Sequence, residues 1–166
     1  AERKDCVVIL GAGTIGLLTL VVARELGYKK IICTDTVEDN CKMALKQGAT
    51  AAFNPLTEDV PARVRELTNG RGADLAIIAA GDNILDQASQ CVCKRGEIGL
   101  VAMITKKIPF YCYSVVFNEQ TIYGSMTYES KDFKEAADMI NNGLDLNDFI
   151  TQKLPLEKTQ EALDIL

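Results

Sequence analysis

The sequence predicts an α/β domain built on a doubly wound, mostly parallel sheet of six strands in the order 3-2-1-4-5-6, with helices on both faces. Three observations predict it. Short apolar runs alternate with helical patterns along nearly the whole chain, the mark of βαβ units and a parallel sheet. The apolar residues are mainly Val, Ile, Leu and Ala, with few aromatics and no Trp, which suits strands buried on both faces. A glycine-rich turn follows the first apolar run directly. Right-handed crossovers then leave few topologies open.

Each element has its own signal. Cys6-Val7-Val8-Ile9-Leu10 is a continuous apolar run ending at Gly11, so it reads as a central buried strand. Thr14 to Leu26 places Leu17, Leu18, Val21, Val22 and Leu26 on one helical face, and Gly27 supplies the stop. Ile31-Ile32-Cys33 makes the second strand, closed by Asp35, and a helix follows from Val37 to Lys46 with Gly48 after it. Ala51-Ala52-Phe53 is a short third strand, stopped by Asn54-Pro55. Val60 to Thr68 is helical in pattern, and Asn69-Gly70-Arg71-Gly72 is a turn.

Leu75 to Ala79 reads as the fourth strand, Ile84 to Val92 as a helix, and Gly96 to Met103 holds the fifth strand. Two β-rich pieces come next, Pro109 to Val116 and Thr121 to Gly124. A helix is expected from Lys131 to Asn142, and another from Leu156 to the last residue, Leu166. With no internal repeat or linker, residues 1–166 read as one domain. The first strand lies close to Ala1, and an amphipathic helix is still running at Leu166, so the expectation is a domain taken from a longer chain.

Composition narrows the function. The chain is 48% hydrophobic and 25% charged, which is ordinary for a soluble globular domain. Its net charge is −5, and Lys and Arg are scattered rather than clustered, which disfavours a nucleic-acid partner. No apolar run approaches the length of a membrane span, and no secretory leader is recognisable. Cys6 and Cys33 fall inside strands, and Cys91 and Cys93 are separated by a single residue, unlike zinc-ligand spacing. With no His present, these thiols read as reduced, structural cysteines of a cytoplasmic protein.

One constellation carries chemistry. Gly11-Ala12-Gly13-Thr14-Ile15-Gly16 matches the GxGxxG dinucleotide fingerprint, with a buried strand ending before it and a helix opening after it. In that pattern the first glycine makes the tight turn and the second lets the backbone approach a pyrophosphate. The third lets helix and strand pack closely, and the helix start attracts the negative charge. Asp35 closes the second strand 19 residues after Gly16. A carboxylate there accepts hydrogen bonds from both adenosine ribose hydroxyls and repels a 2′-phosphate, which predicts NAD over NADP. The alternative for Asp35 is a solvated turn aspartate beside a helix cap at Thr36.

The carboxyl ends of the fourth and fifth strands nominate Ala80 and Gly81, then Val101, Ala102 and Met103. Small residues there would let the backbone touch a ribose or nicotinamide, or would serve helix packing alone. No catalytic set is visible. The absence of His excludes Ser-His-Asp and Cys-His arrangements, and Tyr128 is followed by Lys131, one residue too early for a Tyr-x-x-x-Lys pair.

With these residues placed, the chain resembles the cofactor domain of the medium-chain, zinc-containing alcohol dehydrogenases, and is closest in flavour to the sorbitol, threonine and butanediol enzymes. The likeness runs through Val7 to Leu17, Leu45-Lys46-Gln47-Gly48-Ala49-Thr50, Phe53-Asn54-Pro55, Gly70-Arg71-Gly72-Ala73-Asp74, Gly96 to Val101 and Thr121 to Ser125. It returns at Ile150-Thr151, Leu154 to Glu157 and Glu161-Ala162. The resemblance implies an NAD-binding Rossmann domain whose parent enzyme passes hydride between a secondary alcohol and NAD. Zinc would be held by a separate domain, so this chain would bind NAD without zinc and without activity of its own.

Two positions depart from the family pattern. Asn40 stands where a basic residue touching the ribose is common, and Ala80-Gly81-Asp82 replaces a Val-Gly type segment. The resemblance also implies a homodimer or tetramer, paired through an edge strand at Ile108, Pro109, Phe110, Tyr111, Cys112 and Tyr113, unless that edge is covered by its own loops. Two rival readings use the same glycine loop: an S-adenosylmethionine-dependent methyltransferase, and a non-catalytic module that senses NAD.

Overall fold

The computed structural model describes residues 3–81 and 84–165. Its elements run β1 (Cys6–Leu10), α1 (Thr14–Glu25), β2 (Lys30–Thr34), α2 (Glu38–Lys46), β3 (Ala51–Phe53), α3 (Val60–Leu67), β4 (Ala73–Ile78), α4 (Leu85–Cys91), β5 (Val92–Leu100), α5 (Tyr113–Phe117), β6 (Thr121–Gly124), α6 (Ser130–Asn141) and α7 (Thr159–Ile165). The chain divides into two compact units, Ala1–Met126 and Thr127–Leu166.

The first unit holds one six-stranded sheet in the order β3-β2-β1-β4-β5-β6, every pairing parallel. The order expected from the sequence is the order found. Parallel strands need crossovers, and the apolar residues of β1 serve both faces of the sheet they cross: all five are buried. On one face Val8, Leu10, Ile32, Ala76, Ile78 and Ile98 join Val60 and Val64 of α3 and Leu85 and Ala88 of α4 in a single core cluster. On the other, α1 packs on β1 and β2 and touches α2, with Leu17, Leu20 and Val21 buried. Helices therefore cover both faces. Burial pushes the thiols of Cys6, Cys33 and Cys91 up to about 12, so all three are protonated packing groups.

Two boundaries differ from expectation for physical reasons. β4 begins at Ala73, because Asp74 turns its carboxylate inward to accept the N–H groups of Asp5 (3.0 Å) and Cys6 (2.9 Å) at the head of β1. β5 begins at Val92, where α4 ends, because Val92 pairs with Ala73 before a bulge and Glu97 pairs with Leu75 after it.

The expected β-rich piece from Pro109 to Val116 is a correction. No strand forms across Ile108, Pro109, Phe110, Tyr111, Cys112 and Tyr113, and Tyr113–Phe117 is a short helix. A strand needs a neighbour for its N–H groups; Pro109 has none to donate, and the Tyr111 N–H is taken by Asp86 Oδ1 at 3.0 Å. The rings of Tyr113 and Phe117, one helical turn apart, stack at 5.7 Å and favour helix over the β-branched bias of Val115 and Val116. The outer strand of the sheet is β6.

The second unit is helical. Glu129 and Asp132 form a reciprocal capping box at the start of α6, and Gly143, at φ 102°, turns the chain after it. Single 3₁₀ turns at Asn147–Phe149 and Leu156–Lys158 precede α7, and Leu166, where the last helix was expected to run on, lies outside the described residues. Among the described residues no helix is long and apolar enough to cross a membrane.

Candidate dinucleotide site

The sheet order reverses at β1, which has β2 on one side and β4 on the other. Crossovers leave this point in opposite directions, so a crevice opens at the carboxyl edge between β1 and β4. Main-chain bonds align the strand ends around it: Gly11 N–H donates to Thr34 O (2.9 Å), Ala79 N–H to Leu10 O (2.8 Å), and Asp35 N–H to Phe53 O (3.2 Å).

The three glycines have three different reasons. Gly11 has φ 102°, and a Cβ on it would meet Ala80 N and Ala80 Cβ at 2.9 Å, so the turn and the neighbouring strand end both require its absence. A Cβ on Gly16 would lie 1.8 Å from Gly11 O, because α1 springs directly from its own entry loop. Gly13 is different: among the described residues nothing lies within 4 Å of its missing Cβ, and its backbone is extended at φ −69°. No neighbouring group among the described residues asks for a glycine there. The open side at Gly13 leaves room for a ligand to approach the main chain.

α1 begins at Thr14 with no side-chain cap and no acidic residue in its first turn. Thr14 and Ile15 are exposed and Gly16 is buried. The first-turn N–H groups have no intrahelical acceptor, so they and the positive end of the helix dipole suit an anion.

Asp35 is half-buried and tied into this loop. Its Oδ2 accepts the Ala12 N–H at 2.8 Å and its Oδ1 accepts the Val37 N–H at 2.9 Å. An ionised carboxylate has about four lone-pair positions, so two further hydroxyl hydrogens find acceptors on the same group. The Cys41 thiol, which burial raises, donates to Asp35 O at 3.5 Å and adds no charge. Thr36 is exposed beside Asp35, and Asn40 sits half-buried in the first turn of α2.

The other nominated residues gather on the same edge. Ala80 packs against Gly11, and Gly81 lies beside Met103, whose carbonyl oxygen would be 4.0 Å from a Cβ on that glycine. Val101 and Ala102 both donate their N–H to Ile78 O, at 3.1 and 3.0 Å. Ala102 gives its methyl to the core cluster, while Met103 is exposed. Asp82, the residue after Gly81, lies outside the described residues.

Two residues escaped the sequence reading. The sequence gives Ala12 no role of its own, yet its N–H is the link to Asp35. Asn54 looked only like a strand stop, yet its Nδ2 donates to Thr36 O (3.2 Å) and Glu38 Oε1 (3.1 Å) and orders the loop after Asp35. The only available signal was the sheet order, which sets β3 beside β2. Among the described residues no group of three His, Cys, Asp or Glu is gathered as a metal site.

A parallel sheet of this order, with a glycine loop at its switch point and an acid closing β2, defines the Rossmann class. Residues 14–142 match the family described as zinc-binding dehydrogenase, and the chain belongs to that family. It is 29% identical over 166 residues to the sorbitol dehydrogenase of Bacillus subtilis, matching 98% of this chain and 47% of that protein. It is 31% identical over 168 residues to the D-arabitol-phosphate dehydrogenase of Enterococcus avium, again with 98% and 47% covered. The alcohol dehydrogenase of Thermus sp. ATN1 superposes with a TM-score of 0.89 at 26% identity, over 98% of this chain and 48% of that one. The chain thus spans about half the length of these relatives.

Proposed function

We propose that the chain is the NAD(H)-binding domain of a zinc-dependent alcohol or polyol dehydrogenase. The observation that supports the reading is the tie from Ala12 N–H to Asp35 Oδ2, which joins the acid closing β2 and the glycine loop in one unit. The N–H groups of Gly13 to Gly16 would receive the pyrophosphate, and Asp35, with Thr36 and Asn40 alongside, the adenosine ribose. The main chain at Ala80-Gly81 and Val101 to Met103 would flank the nicotinamide half. Bound there, the cofactor supplies a hydride acceptor or donor; this chain's residues orient it and contribute no proton relay.

Zinc does not fit this chain. The sequence has no His, and among the described residues no three Cys, Asp or Glu are gathered as a ligand set. We assign the metal, and the secondary alcohol or polyol, to the remainder of the parent enzyme. Six free thiols, five of them buried, support a reducing, cytoplasmic setting.

Calorimetry with NAD, NADP and S-adenosylmethionine tests the site. NAD should bind saturably and NADP more weakly. Asp35→Ala should lose about a hundredfold in NAD affinity, since two hydrogen bonds to a charged acceptor go and the loop is untied. Asp35→Ala should also narrow the gap between NAD and NADP. A preference for S-adenosylmethionine would overturn the reading in favour of a methyltransferase.

The same proposal includes a homodimer. Ile108 and Phe110 pack against the core while Pro109 and Tyr111 are exposed, the two-residue alternation of a strand that lacks a neighbour. Tyr113 and Phe117 are exposed beside it, and the β6 edge is open. Sedimentation should give twice the 18.1 kDa chain mass, and Tyr111→Asp should return the species to a single chain.

A further inference from the structure

The amino edge of the sheet, opposite the glycine loop and Asp35, gathers positive charge that the sequence disperses. Arg3 precedes β1, Arg71 precedes β4, and Lys94 and Arg95 belong to β5, and these four cations line one cavity of about 610 Å³. Glu119, paired with Lys94 and Arg95, and Asp5, 3.9 Å from Arg71, stand beside these cations. Among the described residues Asp74 and Glu97 are the acids in the wall. Asp74 is already engaged by two main-chain N–H groups and by Arg71 Nη2 at 2.7 Å, so its effect is to hold that guanidinium in place. Arg71 also borders a second cavity of about 270 Å³ that carries Lys29 and Lys30.

Lys94 and Arg95 reach the cavity by way of the β5 bulge. Between the Ala73–Val92 and Leu75–Glu97 pairs, one residue of β4 faces four of β5, and the surplus residues form the bulge. Arg95 turns that loop at φ 60°, in the left-handed region that local structure leaves to glycine or asparagine. A guanidinium in a conformation that glycine would adopt freely points to a use for its charge. Lys94 Nζ and Arg95 Nε now share the Glu119 carboxylate, at 2.9 and 2.8 Å. Ion pairs this exposed are weak in water, and a more highly charged anion would displace that carboxylate.

We propose that this concavity is a second ligand site, for a small oligophosphate: a di- or triphosphate chain, either free or carried on a nucleotide. Arginine forks match the paired oxygens of phosphate groups, and the four cations line one hollow rather than an extended basic stripe. The proposal stands independently of what binds at the carboxyl edge.

Amide NMR of the chain, titrated with sodium tripolyphosphate and in parallel with ATP, tests it. Saturable shifts are expected at Gly72 and from Cys93 to Glu97. Lys94→Ala with Arg95→Gly should weaken binding about tenfold while the thermal midpoint holds or rises, because glycine relaxes the left-handed turn. Lys94→Glu, an exposed charge reversal that leaves the turn intact, should weaken it too. Equal affinity for both probes assigns a free phosphate chain, and tighter ATP assigns a nucleotide. Shifts confined to residues 11–16, shifts that do not saturate, or affinities unchanged in both variants would overturn the proposal.

Discussion

Gly16→Ala should unfold the entry to α1 and remove cofactor binding, whereas Gly13→Ala should remove binding and leave the fold intact. The difference follows from what each added methyl meets. At Gly16 the new carbon would sit 1.8 Å from Gly11 O and 2.8 Å from Gly11 C, both main-chain atoms that no rotamer change can clear. The loop and the helix must separate, which costs about 1–3 kcal/mol or more by analogy with overpacked cores, and the loop N–H groups then no longer converge. At Gly13 no atom of the described residues lies within 4 Å and the backbone is extended, so alanine should be tolerated there. Its methyl instead fills the space through which a pyrophosphate would reach the main chain. Denaturant unfolding and NAD calorimetry on the two variants separate the effects. Equal stability loss in both would show that the loop, not the ligand, requires Gly13.

Asp74→Ala should be the most destabilising carboxylate substitution in the first unit. The residue is 4% exposed, and three donors converge on it: the N–H groups of Asp5 and Cys6 and the guanidinium of Arg71. Removing one partner of a buried ion pair costs about 3–5 kcal/mol. Arg71 is partly in water, its side chain 35% exposed, which places this case toward the lower end. Even so, about 3 kcal/mol is a large share of a domain stability of roughly 5–15 kcal/mol. Asp74→Asn keeps one acceptor oxygen but turns an amide toward the remaining donors, so it should fall between alanine and the native residue. Urea denaturation measures both. NAD affinity of the folded fraction should be unchanged, because the proposed site lies at the other end of the strands.

Most of the sheet was legible because its signals are local. Each run of Val, Ile and Leu in β1, β2 and β4 is bounded by glycine or a polar residue, and parallel crossovers constrain the order once the strands are known. The glycine loop and Asp35 were legible because their spacing is itself the signal. What escaped reading depends on tertiary pairing. The β5 bulge is a mismatch between two strands, so neither strand alone reveals it. Tyr113 to Phe117 carries β-branched residues and reads as strand, yet ring stacking one turn apart and a lack of neighbours make it helix. The cationic hollow at the amino edge draws on residues from three separate stretches, so a scan for runs of Lys and Arg passes over it.

The place of β1 in the sheet bears on how the chain is made. β1 leaves the ribosome before both of the strands that flank it, and its five apolar residues are all buried in the finished domain. One side can close as soon as β2 emerges, but the other waits for β4, with Val7 pairing Leu75 and Leu10 pairing Ile78. For the whole of that interval a greasy, unpaired strand margin travels with the nascent chain. Long-range parallel pairing of this kind is slow and exposed to misassembly. Helper proteins that shield emerging chains should therefore matter most for this domain during the synthesis of α2, β3 and α3, and release should follow the completion of β4.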